Sequence, residues 1–444
     1  MLALAPDAAS ASAGQSLASA RKWTSLGMSD RAAWGLCQGS GKDPYQTRIE
    51  FGAPAFKCSC PSRKFPCKHG LGLLLIFAKD IASFTKGVEP GWVSEWIDGR
   101  AEKTEKKTAK AKAAADAPVD LEAQAQRAAA REDRVQQGVA ECRTWMDDLL
   151  RRGLAAAQSN AGSECERVAA RMVDAQAPGL AGMVRRIART MASGAGWEVR
   201  TLEHLGRVHL LLAAADRLRD LPTELAADVR VALGYNQPKE EVLARQGVAD
   251  LWTAVGQAYE EVDRLTVRRT WLWGKRTQRA AMVLDFAVGS QPFDTSLVPG
   301  TAFEGEVAFY PSGAPLRALV KSRDQGFEAA EPPGDDGPNV IGAHLERFAQ
   351  ALGANPWLAC WPMVLPRTRV VRSGDRWLLA RGEELLPLSP AFARGIHLWR
   401  LLSATGGRES TIVAEWDGEE AAPVGLFVNA GGMKYVALGA RWAA

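Results

Sequence analysis

Four residues in one short stretch have the types and the spacing that bind a metal ion. One residue separates Cys58 from Cys60, one separates Cys67 from His69, and six lie between the two pairs. Three thiolates and one imidazole form a full tetrahedral set for zinc, with no position left open for water or substrate. Residues i and i+2 of an extended segment face the same side, so Cys58 and Cys60 can bind one ion together. The sequence therefore predicts one structural zinc ion.

The residues around this stretch predict the elements that hold it in place. Residues 45–51 alternate as a strand does, and 55–58 pair plausibly with them across the turn at 52–54. Pro61 and Pro66 frame the loop that leads to the second ligand pair, and an apolar run after His69 predicts a helix that begins at the metal. We expect a zinc-stabilised ββα finger within a domain at 21–99. A unit this small has little core, so the metal should supply much of its folding free energy.

This arrangement resembles the SWIM-type zinc finger, whose signature is Cys-x-Cys, a variable gap and Cys-x-His. The segments 34–46 and 172–180 are similar to bacterial members of that family. The resemblance implies a module that binds DNA or a protein. The similarity to bacterial members further implies a connection to an AAA-type ATPase system.

Composition and cysteine usage indicate an ordinary globular protein of a reducing compartment. The chain has 444 residues, a formal net charge of +4, 47% hydrophobic and 24% charged residues. The cysteines outside the cluster are scattered and do not suggest a disulfide framework: Cys37, Cys142, Cys165 and Cys360. The N-terminus lacks the pattern of a signal peptide, and no apolar run approaches the roughly 18 residues that span a bilayer. We therefore expect a cytoplasmic protein that does not enter a membrane.

The sequence gives no sign of catalysis. The histidines outside the cluster are His204, His209, His344 and His397. His204 and His209 are five residues apart and would face different sides of a helix. The common hydrolase and dinucleotide-binding motifs are absent from the sequence, and a hydrolytic zinc site would need an open position. We expect no enzymatic activity.

The rest of the chain divides by composition and period into an α+β multidomain protein. Apolar residues recur at helical spacing from about 120 to 265, and strand patterns begin near Trp271. The predicted parts are a disordered N-terminus at 1–20, the finger domain at 21–99, a basic Lys/Ala linker at 100–118, a helical domain at 119–268 and a mixed β-rich domain at 269–444.

Basic residues around the finger leave two kinds of partner open. They are Lys42, Arg48, Lys57, Arg63, Lys64 and Lys68, against the acids Asp43 and Glu50. Such a cluster could contact the phosphates of a nucleic acid. It could equally balance the net negative charge of a zinc ion bound by three thiolates. Because the whole chain is nearly neutral, we favour a protein partner, with DNA as the alternative.

Overall fold

The finger forms the first part of the chain and is built on one sheet. In the computed structural model, the described residues are 8–39, 43–51, 55–62, 64–116, 121–262, 265–288, 293, 296–324, 328–333, 339–429, 432–439 and 441–443. The first elements are α1 (Ala8–Ser16), β1 (Trp23–Met28), β2 (Ala32–Cys37), β3 (Tyr45–Glu50), β4 (Ala55–Cys58), α2 (Lys68–Lys79), β5 (Thr85–Lys86) and α3 (Gly91–Asp116). The strands form a sheet in the order β4-β3-β2-β1-β5. The predicted hairpin and helix are β3, β4 and α2, so the ββα arrangement is confirmed within a larger sheet.

Helices cover both faces of this sheet. Ile49 and Phe56 share a core with Leu73 and Ile76 of α2 on one face. On the opposite face Trp34 packs against Val93 of the N-terminal part of α3. The finger is therefore a three-layer unit whose core extends beyond the metal site.

Two predictions for the flanks of the finger need correction. The prediction of disorder at 1–20 is wrong for residues 8–20: helix α1 packs on α2 so closely that a Cβ on Gly14 would lie 2.7 Å from Cβ of Leu71. Small residues permit that approach, and alanine favours helix. Much of the predicted linker at 100–118 is also helical, since α3 continues to Asp116. Alanine, lysine and glutamate are strong helix formers, which explains the difference. The mobility of this segment stays a prediction.

A helical bundle follows. Its helices are α4 (Leu121–Arg152), α5 (Leu154–Ala157), α6 (Ala161–Asp174), α7 (Pro178–Met191), α8 (Trp197–Asp216), α9 (Thr223–Leu233) and α10 (Lys239–Ala244). One core joins the long helices, with Met146, Met172, Ile187 and Leu211 among its fully buried side chains. The predicted helical domain is present, but it ends near 247, about 20 residues before the predicted boundary.

The described residues of the C-terminal part form two sheets and three helices. The first sheet has β6 (Val248–Val262), β7 (Leu265–Gly274), β8 (Ala280–Val288), β9 (Thr301–Phe309), β10 (Ala318–Arg323) and β11 (Glu328–Ala329). Next come α11 (Val340–Ala354), β12 (Trp361–Ser373), β13 (Arg376–Arg381), β14 (Glu384–Pro387), α12 (Pro390–Arg394), α13 (Ile396–Thr405), β15 (Ser410–Trp416), β16 (Ala421–Asn429), β17 (Met433–Ala437) and β18 (Arg441–Ala443). The strand orders are β10-β9-β6-β7-β8, with β11 on β9 and β18 on β6, and β14-β13-β12-β15-β16-β17. The predicted mixed β-rich region is confirmed.

Strand β6 explains why the predicted boundary at 268/269 is too late. Residues 252–258 are all buried, so this strand lacks the alternation that marks a half-exposed strand. Its alanine, glycine and glutamine residues also give little β signal.

The two C-terminal sheets pack face to face around a buried ion pair. Trp271 of the first sheet shares a core with Val413 and Val424 of the second. Within this interface the carboxylate of Glu415, 4% exposed, accepts hydrogen bonds from Arg269 at 3.0 and 3.1 Å and from Nε1 of Trp271 at 2.7 Å. The carboxylate is thus fully partnered, as a buried charge must be to be tolerated.

The bundle contacts the C-terminal unit through a second buried carboxylate. Asp228 of α9 accepts hydrogen bonds from the Gly313 peptide N–H and the Asn355 side-chain amide, both at 2.8 Å. Nearby, Nε1 of Trp357 donates to the carbonyl oxygen of Arg207 at 3.1 Å. These polar contacts join the two units directly.

No helix among the described residues is long and apolar enough to cross a membrane.

The buried imidazole of His344 predicts an acid-sensitive fold. Its Nε2 lies 3.2 Å from the carbonyl oxygen of Val364, and its Nδ1 has no partner among the described residues. A second proton would place an unpaired N–H in the core. Burial therefore lowers the pKa of His344 from 6.5 to about 4, with a smaller contribution from the charge of Arg347. Between these values the unfolded chain binds the proton and the folded chain does not, so acid favours unfolding.

Urea denaturation at pH 7 and pH 5 should therefore show a loss of about 2 kcal/mol that originates at this residue. The His344→Leu variant should lose this component of the pH dependence, whereas His209→Gln, at an exposed position, should retain it. The same pH dependence in His344→Leu and the unchanged protein would contradict the assignment.

Candidate metal centre

The four predicted ligands come together at the junction of β4 and α2. Cys58 ends β4, Cys60 follows it, Cys67 directly precedes α2, and His69 lies in the first turn of that helix. Each offers one ligand atom, and these atoms all lie within 4.8 Å of one another. Because β3 and β4 are paired and α2 packs on them, the backbone fixes where the two ligand pairs meet.

The distances fit one tetrahedral zinc ion. Nδ1 of His69 lies 3.7 Å from Sγ of Cys58 and 3.9 Å from Sγ of Cys67. Zinc bonded at about 2.3 Å to sulfur and about 2.0 Å to nitrogen holds such atoms roughly 3.6 Å apart. Three sulfurs and one nitrogen are a donor set typical of structural zinc. The arrangement therefore fits a structural zinc ion.

The acid–base properties of the cluster point to a cation as well. Hydrogen bonding with Cys67, and further bonds to His69 and Thr47, lower the pKa of Cys58 to about 3 although burial opposes this. The pKa of Cys67 is raised, first by its hydrogen bond to Cys58 and then by burial, and burial also raises the pKa of Cys60. One thiolate forms readily here, while further negative charge is costly without a dication to balance it.

Several neighbouring groups orient the sulfurs. Peptide N–H groups of Cys60, Ser62 and Gly70 donate to the sulfurs of Cys58, Cys60 and Cys67, respectively. The hydroxyl of Thr47, opposite Cys58 in the β3–β4 pair, lies 3.2 Å from its sulfur. Sequence reasoning missed Thr47, because the predicted turn at 52–54 places Arg48 opposite Cys58, one residue away from the observed pair. Such neighbours of ligands commonly tune metal affinity.

The ring of His69 is enclosed by the finger. It is 4% exposed, and its centroid lies 4.9 Å from that of Tyr45 on β3. On the adjacent residue Gly70, a Cβ would lie 3.2 Å from the ring of Phe56, so the first turn of α2 sits tightly on β4. Burial shields the imidazole from solvent and fixes it toward the sulfurs.

One of the basic residues predicted around the finger is buried. Arg48 is 6% exposed, and its guanidinium lies 5.0 Å from the ring centroid of Trp92 and 5.4 Å from that of Trp96. Burial lowers the pKa of Arg48. Lys57, Lys64 and Lys68 are exposed, whereas Lys42 and Arg63 lie outside the described residues. Arg48 is thus part of the packing between the sheet and α3.

Family comparisons agree with this geometry. A family model for the SWIM zinc finger matches residues 57–77, which contain all four cluster residues. A second, for the SWIM-associated four-helix bundle domain, matches residues 130–233, from within α4 to the end of α9. The chain therefore contains a SWIM zinc finger and the four-helix bundle domain associated with it. Neither the search of curated proteins nor that of solved structures gave a match.

Metal analysis tests the cluster directly. Purified protein should contain about one equivalent of zinc, and Cys67→Ser should lose most of it because a hydroxyl is a poor substitute for a thiolate. Cys142→Ala, which alters a cysteine in the bundle core, should retain the metal. Full zinc content in Cys67→Ser would contradict the site.

The hydroxyl of Thr47 gives a finer prediction. Thr47→Val keeps the shape of this fully buried side chain but removes the contact to Sγ of Cys58. Competition with a chromophoric chelator should then show zinc affinity about tenfold lower. Unchanged affinity in Thr47→Val would show that the hydroxyl does not support the ligand.

Proposed function

We propose that Cys58, Cys60, Cys67 and His69 hold one structural zinc ion, and that the finger this ion organises is an interaction module for a protein partner. The observation that carries the proposal is the closed donor set. All four ligand atoms lie within 4.8 Å of one another, and three sulfurs with one nitrogen are a full ligand set for tetrahedral zinc. Zinc in such a site shapes the surface around it. We accordingly propose that the finger contributes binding and not catalysis.

The positions and partners of the basic residues favour a protein partner over a nucleic acid. Arg48 stacks under two tryptophans, which takes one cation out of the predicted phosphate-binding surface. Elsewhere on the finger, Arg31 pairs with Glu89 and Asp98, and Arg100 pairs with Glu50. These pairs reduce the positive potential on which phosphate binding depends.

The metal loop itself has features suited to a protein contact. Phe65, between the two ligand pairs, is 37% exposed and packs edge-on against Phe56 at 6.3 Å. An aromatic side chain held partly exposed by a rigid loop is a typical anchor in protein interfaces. From the resemblance to bacterial family members we propose an AAA-type ATPase system as the partner class, acting in the cytoplasm, where thiolates remain reduced.

Nucleic-acid binding is the second candidate, supported by the exposed Lys57, Lys64 and Lys68. A salt titration separates the two. Replacing Arg63 and Lys64 with glutamine should leave any binding to single- and double-stranded DNA and RNA unchanged. If instead each residue contacts a phosphate, the slope of log affinity against log salt should become shallower by about one unit per residue.

Zinc content of the same double variant serves as the control, because a small loss of metal is expected if these cations only balance the charge of the site. Sub-micromolar nucleic-acid binding near physiological salt by the unchanged protein, with a clearly shallower slope in the variant, would make nucleic acid the leading partner.

A further inference from the structure

The C-terminal unit carries an apolar surface that the zinc finger does not explain. We propose that the outer end of its first sheet, together with Arg186 and Arg189 of α7, docks a segment of a partner protein that combines apolar and acidic side chains. The apolar part, called the tip face here, consists of Val262, Leu265, Val267, Phe286 and Val288. This surface is separate from the finger and should work without zinc.

The strand register places the tip residues on one side of the sheet. Val262 pairs with Leu265, and Leu265 pairs with Val288. One step further in, Val267 pairs with Phe286. Paired residues share a face, as do residues two apart along a strand. The five side chains are therefore contiguous.

The tip face continues the interface between the two sheets beyond the area that the second sheet covers. Further along the same face, Arg269 and Trp271 contact Glu415 of the second sheet. At the tip that cover ends: Phe286 is 55% exposed and Val288 53%, while Leu265 and Val262 are 39% and 41% exposed. A contiguous group of exposed apolar side chains commonly marks an interaction site.

Charges beside the tip face indicate what the partner carries. Glu260, which pairs with Val267, lies close enough to Arg186 to act on its charge, as does Asp417. Arg186 and Arg189 are three residues apart on α7 and so face the same side. Neither forms an ion pair with any residue that the structure describes. Some other arginines of the bundle are paired, for example Arg152 with Glu164 and Arg185 with Glu166.

Arg186 is exposed as a whole residue, but partial desolvation of its guanidinium and the neighbouring cations Arg189 and Arg207 lower its pKa. Its guanidinium thus lies in surroundings that disfavour its charge, and an incoming carboxylate would offset that cost. A polypeptide suits this surface better than a nucleic acid does, because apolar side chains can bury the tip face, whereas a phosphate backbone would leave it exposed to water. The occupant is therefore an acidic, apolar segment of protein.

The test begins with a library of random dodecapeptides selected on the zinc-loaded, full-length protein. Enriched peptides should contain Phe, Leu, Ile or Val together with Asp or Glu. Fluorescence anisotropy of one such peptide should show binding about tenfold weaker to Phe286→Ser and to Arg186→Gln. Both residues are exposed, so the fold should tolerate these changes.

Matched controls are available elsewhere in the chain. Leu385→Ser alters an equally exposed apolar residue of the second sheet, and Arg219→Gln an exposed arginine after α8. Both should bind the peptide normally, and so should Cys67→Ser, which removes a zinc ligand. A peptide lost only in Cys67→Ser would bind at the finger and would overturn the tip-face proposal without touching the function proposed for the finger.

Absence of enrichment, enrichment of basic peptides, or equal binding to Phe286→Ser, Arg186→Gln and the unchanged protein would each overturn the proposal. It would also fail if a single-stranded oligonucleotide bound with a dependence on Arg186 while no peptide did, because the surface would then be a nucleic-acid site.

Discussion

The finger depends on the meeting of three sulfurs and one imidazole at a single metal. The ligands come from a strand end, a loop and a helix start, and each of these elements is fixed by pairing or packing of its own. The sheet positions Cys58, and the packing of α2 on that sheet positions His69. A structural zinc ion at this point adds a further link between elements that already share a core.

Buried carboxylates join the other units of the molecule to one another, and each unit has its own apolar core. Glu415 joins the two C-terminal sheets through Arg269 and Trp271, and Asp228 joins the bundle to the C-terminal unit. Removing one partner of such a pair leaves the other desolvated and unpaired, which is costly, so these contacts fix one arrangement of the units. The finger is thus held by zinc ligands, whereas the C-terminal unit is held by buried ion pairs and hydrogen bonds. Loss of zinc should therefore leave the surface proposed on the C-terminal unit intact.

Sequence reasoning worked where the signal is local. The four ligands lie within one short stretch, so their types and spacing were enough to predict that they converge. It was weaker where long-range packing decides the outcome. The sequence pattern does not reveal β6, because both faces of this strand are buried. It does not reveal α1 either, because the order of that helix depends on packing against α2. Arg48 counted as a surface cation because Trp92 and Trp96 are distant in sequence.

The stacking of Arg48 connects the metal site to helix α3 through neighbouring residues of one strand. Its backbone neighbour Thr47 contacts the zinc-ligand sulfur of Cys58, while its own guanidinium lies against Trp92 and Trp96 at the start of α3. Adjacent residues of β3 therefore face the metal site on one side of the sheet and the start of α3 on the other. A single layer of sheet thus separates the two indole rings from the metal site.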